Sequence, residues 1–252
     1  MIQIKNNNLV QIKTCPDFGR NEKVKPARKF WIEPDFLYPL VKGLEIYRNV
    51  MSQSKKDLYV LVPNKGITKQ LLEDCENDME DKPKCEGFFS TYQDQLILRS
   101  TYSKRMTEHA PYFCISNVGS YTFAPFKVVW PEQPGNKSFR AAVITKGNDP
   151  ISGQKVFVPD HKLFFVDFYD SEPAYYLCGL LNSSTVQAFI DSHNISIQVG
   201  NVFKHMNLPE FDADNKKHKE LSALSEVAHN EDNKIKRQAL LKTISKLGNS
   251  LL

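Results

Sequence analysis

Between Trp31 and Pro209 the chain mixes short β-rich runs with stretches of helical period and never settles into regular strand–helix alternation. The β-rich runs are Leu58 to Val62, Lys127 to Trp130, Phe139 to Ile144 and Lys162 to Phe168; helical spacing marks Phe88 to Leu98 and Tyr175 to Asp191. A doubly wound parallel sheet needs a crossover helix after nearly every strand. This order therefore predicts an α+β fold, a mixed twisted sheet with flanking helices. Upstream, MIQIKNNNLVQIK alternates apolar and polar residues around an Asn-rich turn and reads as a hairpin, while KVKPARKFWIEP reads as a basic connector. Downstream of Phe211, Asp214 is placed to cap a helix with the stripe Leu221, Leu224, Val227 and Ala228. A second amphipathic stretch, Ile235, Leu240, Leu241, Ile244 and Leu247, closes the chain as a C-terminal helical hairpin. The expected organisation is 1–30 for hairpin and connector, 31–210 for the main domain and 211–252 for the C-terminal helices.

With 41% hydrophobic and 25% charged residues the chain can bury a substantial core. No apolar run approaches the roughly 20 residues that cross a bilayer, and Met1 to Val10 lacks the profile of a signal peptide, so a cytoplasmic protein without a membrane partner is expected. The 5 cysteines contain no C-x-x-C pair and are expected to be reduced thiols, most of them core fillers. The formal charge of +4 is unevenly spread: Met1 to Lys56 is rich in Lys and Arg, Leu72 to Glu86 in Asp and Glu. Charge separated into faces can guide a polyanion, though charge alone does not identify a nucleic-acid binder.

Catalytic patterns are missing from the sequence. It holds no Gly-rich phosphate loop, no H-E-x-x-H, no G-x-S-x-G and no kinase set. It also lacks an Asn-Pro-Pro-aromatic tetrapeptide, which holds the exocyclic amine of a flipped base, and a Gly-rich turn after an apolar strand to hold a methyl donor. The adjacent Asp160 and His161, if on a strand, point to opposite faces and make a poor acid–base relay. The 6 histidines lack the spacing of metal ligands, so neither a catalytic residue nor a metal site is expected.

Several segments, in order, carry a resemblance. They are Tyr38, Pro39, Leu40, Gly43 and Glu45; Leu96, Arg99 and Ser100; YTFAPFKVVW from Tyr121 to Trp130; and PDHKL from Pro159 to Leu163. LCGLLNSS from Leu177 to Ser184 follows, and then Pro209, Phe211, Asp212, His218, Leu221 and Ser222. Together they resemble the C-terminal specificity, or target-recognition, domain of adenine-N6 DNA methyltransferases in type II and related restriction–modification systems. The resemblance implies a non-catalytic module that positions double-stranded DNA for a methyltransferase domain, in cis or in trans, absent from this chain. S-adenosylmethionine is then expected in that missing catalytic domain, with no cofactor bound by this chain.

Most aromatics of Tyr121 to Trp130 are expected in the core, and Ser183 or Ser184 is expected to cap a helix. DNA contacts are expected from polar residues at element ends and turns: Arg99, Tyr102, Lys104, Arg105, Asn117, Tyr121, Lys127, Arg140, Lys146, Asn148, Gln198 and Asn201. Arg and Lys suit guanine edges or phosphates, and Asn and Gln suit adenine. The best single patch is STYSKR, Ser100 to Arg105, and the turn-rich Thr145 to Gln154 is a candidate groove-entering loop. The alternative is an interaction module or specificity subunit that docks a partner through its C-terminal helices, for which exposed apolar residues in Leu240 to Leu252 are the discriminating sign.

Overall fold

The computed structural model of the chain describes residues 3–5, 8–18, 24–43, 46–47, 50–51, 58–106, 109–133, 139–149, 151, 153–193 and 205–252. Its first strands are β1 (Gln3–Lys5), β2 (Leu9–Lys13), β3 (Lys29–Ile32), β4 (Leu37–Val41), β5 (Ile46–Tyr47), β6 (Val50–Met51) and β7 (Tyr59–Leu61). Helices α1 (Lys69–Glu80), α2 (Pro83–Ser90), α3 (Gln93–Ile97) and α4 (Ser100–Arg105) follow. Strands β8 (Phe126–Pro131), β9 (Ala142–Asp149), β10 (Gly153–Val156), β11 (Val158–Pro159) and β12 (Leu163–Phe168) come next. Helices α5 (Ser171–Leu181), α6 (Ser184–His193), α7 (Lys216–Asn230) and α8 (Lys234–Asn249) end the chain. The fold is α+β, as the sequence predicts. It forms two compact units: Met1–Pro39, Tyr59–Phe123 and Gly147–Lys155 make the first, and Leu40–Leu58, Ala124–Lys146 and Val156–Leu252 the second. These discontinuous units cut across the contiguous stretches 1–30, 31–210 and 211–252.

In the first unit the N-terminal hairpin forms as predicted, with Ile4 opposite Val10 and the turn residue Asn8 at φ 59°, a left-handed conformation that Asn tolerates. The expected basic connector, however, ends in a strand. Lys29–Ile32 pairs with β2, placing Val10 opposite Ile32 and Ile12 opposite Phe30. The two-residue period turns Val10, Ile12, Phe30 and Ile32 to one face, where they meet Leu72, Cys75 and Met79 of α1 and Cys85 and Phe89 of α2. Thr68 caps α1 by accepting from the Leu71 amide. Pro83 opens α2, and the Glu33 carboxylate accepts from the Lys84 and Cys85 amides, so the first turn is satisfied from the end of β3. The helical pattern from Phe88 to Leu98 is divided between α2 and α3. At the break Thr91 turns its hydroxyl back onto the Gly87 carbonyl.

In the second unit β8 lies between β9 and β12, antiparallel to both. Alternation sends Val128 and Trp130 to α5 and α6, and Val129 to Val41, Ala142, Ile144 and Leu163. A strand buried on both faces reads as a continuous apolar run, which explains KVVW. Phe123 is not part of that strand. It ends a 3₁₀ turn, Ser120–Phe123, and Pro125 separates the turn from β8. Helix α5 is buried almost all round because Ala174, Tyr175, Cys178 and Leu181 face the sheet while Tyr176 and Leu180 face Leu221 of α7 and Ile244 of α8.

Ser183 caps α6 as expected, accepting from the Val186 amide at 3.4 Å. Two further amides of that first turn, on Ser184 and Thr185, donate to Ser245 and Asn249 of α8. The cap of α7 is Asn215, accepting from Lys217, rather than Asp214, whose amide donates to Asp212 instead. The helical hairpin α7–α8 packs most of its apolar stripe inward: Ile244 is fully buried, Leu240, Leu241, Leu247 and Leu251 join the same cluster, and from Leu240 onward only Leu252 among the apolar residues is exposed, whereas Val227 and Ile235, expected in the stripe, face solvent. A Cβ at Gly179 meets Leu221 side-chain carbons at 2.9 Å, so the α5–α7 approach requires glycine there. Gly179→Ala is expected to destabilise the chain by about 1–2 kcal/mol through overpacking, read as a lowered urea midpoint at unchanged slope.

Candidate nucleic-acid interface

Helix α4 is too short to be stable on its own and is held by hydrogen bonds to the loop that follows it. At its N-terminus the Arg99 guanidinium donates to the carbonyls of Leu96 (2.8 Å), Tyr112 (2.6 Å) and Cys114 (3.0 Å). The Tyr102 hydroxyl donates to the Ala110 carbonyl at 2.6 Å. Buried Asn64 grips the same loop through Ile115, accepting from its amide at 2.8 Å and donating to its carbonyl at 2.9 Å. Residues 110–115 are thereby pinned to main-chain and side-chain partners. Among the side chains that α4 and the end of the loop present to solvent are Lys104, Arg105 and Asn117, with Arg105 donating to the Asn117 side-chain oxygen at 3.2 Å.

This pair has the chemistry of base-edge recognition. A guanidinium suits guanine O6 and N7 and a carboxamide suits adenine N6 and N7, and here the two flank a loop anchored at residues 110–115. Lys104 adds an exposed positive charge on the same helix. Tyr121 is partly exposed on the 3₁₀ turn, its ring lying over Gly119, where an added Cβ meets the ring at 2.7 Å. The opposite charge is concentrated elsewhere in the unit: Glu73, Asp74, Glu76, Asp78 and Glu80 are exposed on α1.

The remaining expected contact residues are placed differently. Arg99 and Tyr102 anchor the loop through the bonds above. Lys127 is 1% exposed, its ammonium donating to the Ala124 carbonyl at 2.9 Å, and burial lowers its pKa to about 8. Arg140 is buried and donates to the Gly43 carbonyl at 3.1 Å. The structure thus puts both cations in the interior, because alternation along β8 turns Lys127 to the Val129 face and the coil before β9 folds Arg140 inward. Lys146 is exposed on β9; the side chain of Asn148, and Gln198 and Asn201 altogether, lie outside the described residues. The segment Thr145 to Gln154 runs through β9 and β10, with Gly153 at φ 72° after the turn, as a hairpin reading requires. Reasoning from sequence missed Asn64 and Lys155. Lys155 donates to the carbonyls of Pro34, Asp35 and Leu37 and lies 4.6 Å from the Tyr38 ring centroid, and nothing local in its sequence announces this role.

The Asp160–His161 pair needs correction. Residue 161 sits in a turn after β11 rather than on a strand, so the side chains meet: Asp160 Oδ1 lies 2.6 Å from His161 Nδ1 and accepts the His161 amide at 2.7 Å. Lys42 lies 4.0 Å from the other carboxylate oxygen. The described residues contain no group of three or more His, Cys, Asp or Glu side chains arranged for a metal. Four cysteines are buried and Cys15 is exposed. Burial pushes the Cys85 and Cys178 thiols up to about 12, which keeps them protonated and poorly nucleophilic. A groove of about 440 Å³ between α6 and α8 contains one carboxylate, Asp191, and one lysine, Lys242.

No known family profile matches the chain. The chain is 31% identical over 161 residues, 64% of its length, to the type II methyltransferase M.NspV of Nostoc sp.. It spans 30% of the length of that relative. The sequence is therefore related to part of a type II methyltransferase. Among the described residues no helix is long and apolar enough to cross a membrane.

Proposed function

We propose that this chain is the DNA target-recognition portion of a site-specific adenine-N6 DNA methyltransferase of a restriction–modification system. The observation that carries the reading is the partial, colinear similarity to a type II methyltransferase, in a chain whose sequence shows no motif for methyl transfer. The solvent-facing Lys104 and Arg105 on α4 and Asn117 after the pinned stretch 110–115 support it. In this reading the chain binds duplex DNA, sets its register through cations on phosphates, and reads base edges through Arg105 and Asn117, with Tyr121, Lys146, Asn148, Gln198 and Asn201 as further contacts. The methyl donor, S-adenosylmethionine, and the extruded adenine belong to a catalytic domain supplied in cis or in trans.

Fluorescence anisotropy with a labelled duplex at 50 and 200 mM salt tests it. Micromolar or tighter binding at low salt, weakening steeply at the higher salt, is expected. Arg105→Ala and Lys104→Ala are each expected to weaken low-salt binding by about threefold to tenfold without altering the melting temperature. A folded chain that binds no duplex at low salt sinks the reading.

A partner-docking role through the C-terminal helices retains one supporting observation: Ile235 on α8 is 79% exposed and Val227 on α7 is 52% exposed. Against it, the apolar stripe after Leu240 is used within the second unit's own core.

A further inference from the structure

The first unit carries a second concentration of positive charge at one end of the β2–β3 pair. Lys13 and Lys29 are direct cross-strand partners and both are exposed. Arg28 precedes Lys29, is exposed, and is locked in place by its main chain: its amide donates to Thr14 Oγ1 at 2.9 Å and its carbonyl accepts from the Thr14 amide at 2.9 Å. Lys25 and Pro26 continue the exposed stretch. Among the described residues no carboxylate forms an ion pair with Lys13, Arg28 or Lys29.

Like charges directly opposite on an antiparallel pair destabilise it, so fold stability does not explain Lys13 facing Lys29. Inward-facing residues of the same strands, Val10, Ile12, Phe30 and Ile32, already secure this sheet to its core. Five exposed carboxylates of the unit, Glu73, Asp74, Glu76, Asp78 and Glu80, lie on α1, and none of them forms an ion pair with these cations. A cross-strand pair of exposed lysines, with an exposed arginine adjacent in sequence and no ion-paired carboxylate among the described residues, suits a ligand bearing closely spaced anions.

We infer that Lys13, Arg28 and Lys29 form a sequence-independent clamp on the sugar-phosphate backbone of duplex DNA, separate from the cluster of Lys104, Arg105 and Asn117. The inference rests on the DNA-binding reading above. The clamp holds the duplex by charge, and each phosphate it neutralises releases counterions, steepening the salt dependence by roughly 0.9 in log–log slope. It carries none of the hydrogen-bond pattern that distinguishes one base pair from another.

The test is an anisotropy titration of the full chain with a 30-base-pair random-sequence duplex between 50 and 300 mM KCl. Lys13→Gln/Arg28→Gln/Lys29→Gln is expected to reduce the slope by about 2 to 3 and to weaken binding at 50 mM by about tenfold or more. Lys13→Glu keeps the proposal separable from a structural role: it creates an opposite-charge pair with Lys29, so the melting temperature holds or rises while DNA binding falls. A triple variant with wild-type slope and affinity overturns the clamp and leaves the DNA-binding reading standing. A wild-type chain that binds no duplex overturns both.

Discussion

Asn182→Ala is expected to lose about 3–4 kcal/mol of stability, the largest effect of any single substitution proposed for this chain. The side chain is buried between α5 and α6 and serves as a main-chain surrogate for the stretch before β9. Its oxygen accepts from the Ala141 amide at 3.2 Å, and its nitrogen donates to the carbonyls of Ala141 and Cys178, both at 2.9 Å. Truncation leaves both polar groups of one buried peptide residue without this partner, at about 1–3 kcal/mol for each. Asn182→Asp keeps the acceptor but loses the donor and buries a charge, so it is expected to be no better than alanine. Equilibrium urea unfolding measures both; a loss below about 1 kcal/mol in the alanine variant contradicts the assignment.

The second large effect is pH-dependent. His229 on α7 joins the helical hairpin to the sheet: its Nε2 accepts from the Val143 amide at 2.9 Å and its Nδ1 donates to the Ser225 carbonyl at 2.7 Å. Both ring nitrogens are used by the neutral tautomer. Burial, opposed by the Ser225 carbonyl and reinforced by nearby Arg237, lowers the imidazole pKa to about 4. An unfolded histidine titrates near 6.5, so as pH falls the unfolded chain takes up the proton first. The contribution is complete above about pH 6.5 and is lost between about 6.5 and 4, amounting to about 3 kcal/mol over that window. Unfolding free energies at pH 7 and 4.5 should therefore fall apart more in the wild type than in His229→Gln, which keeps an acceptor but cannot titrate. Equal pH dependence in the two proteins removes His229 as the cause.

Much of this molecule is local enough to read along the chain. The Asn-rich hairpin, the strand at KVVW, the Ser183 break between α5 and α6 and the two closing helices follow from periods of 2 and 3.6 residues and from capping chemistry. Where the reading fails, a distant partner is the reason. The connector after Lys25 becomes β3 because β2 is available to pair with it. Lys127 looks like a phosphate ligand until the Ala124 carbonyl and the packing around β8 claim it. Asp160 and His161 meet because β11 stops at Pro159, before both of them.

The candidate interface divides along the same line. STYSKR and its flanks are visible in the sequence as a polar, basic patch, but the separation of Arg99 and Tyr102 as anchors from Lys104 and Arg105 as presented groups depends on carbonyls 8 to 15 residues away. The clamp at Lys13, Arg28 and Lys29 emerges only when the strand register sets residues 13 and 29 opposite each other.

By itself, then, the amino-acid sequence determines the α+β class, most of the element types and the kinship to a type II methyltransferase, because periodicity, capping and ordered motifs are written in neighbouring residues. Tertiary structure alone decides which polar side chains are framework and which face solvent. That outcome turns on whether a carbonyl, an amide or a like charge from a remote segment arrives within hydrogen-bonding reach.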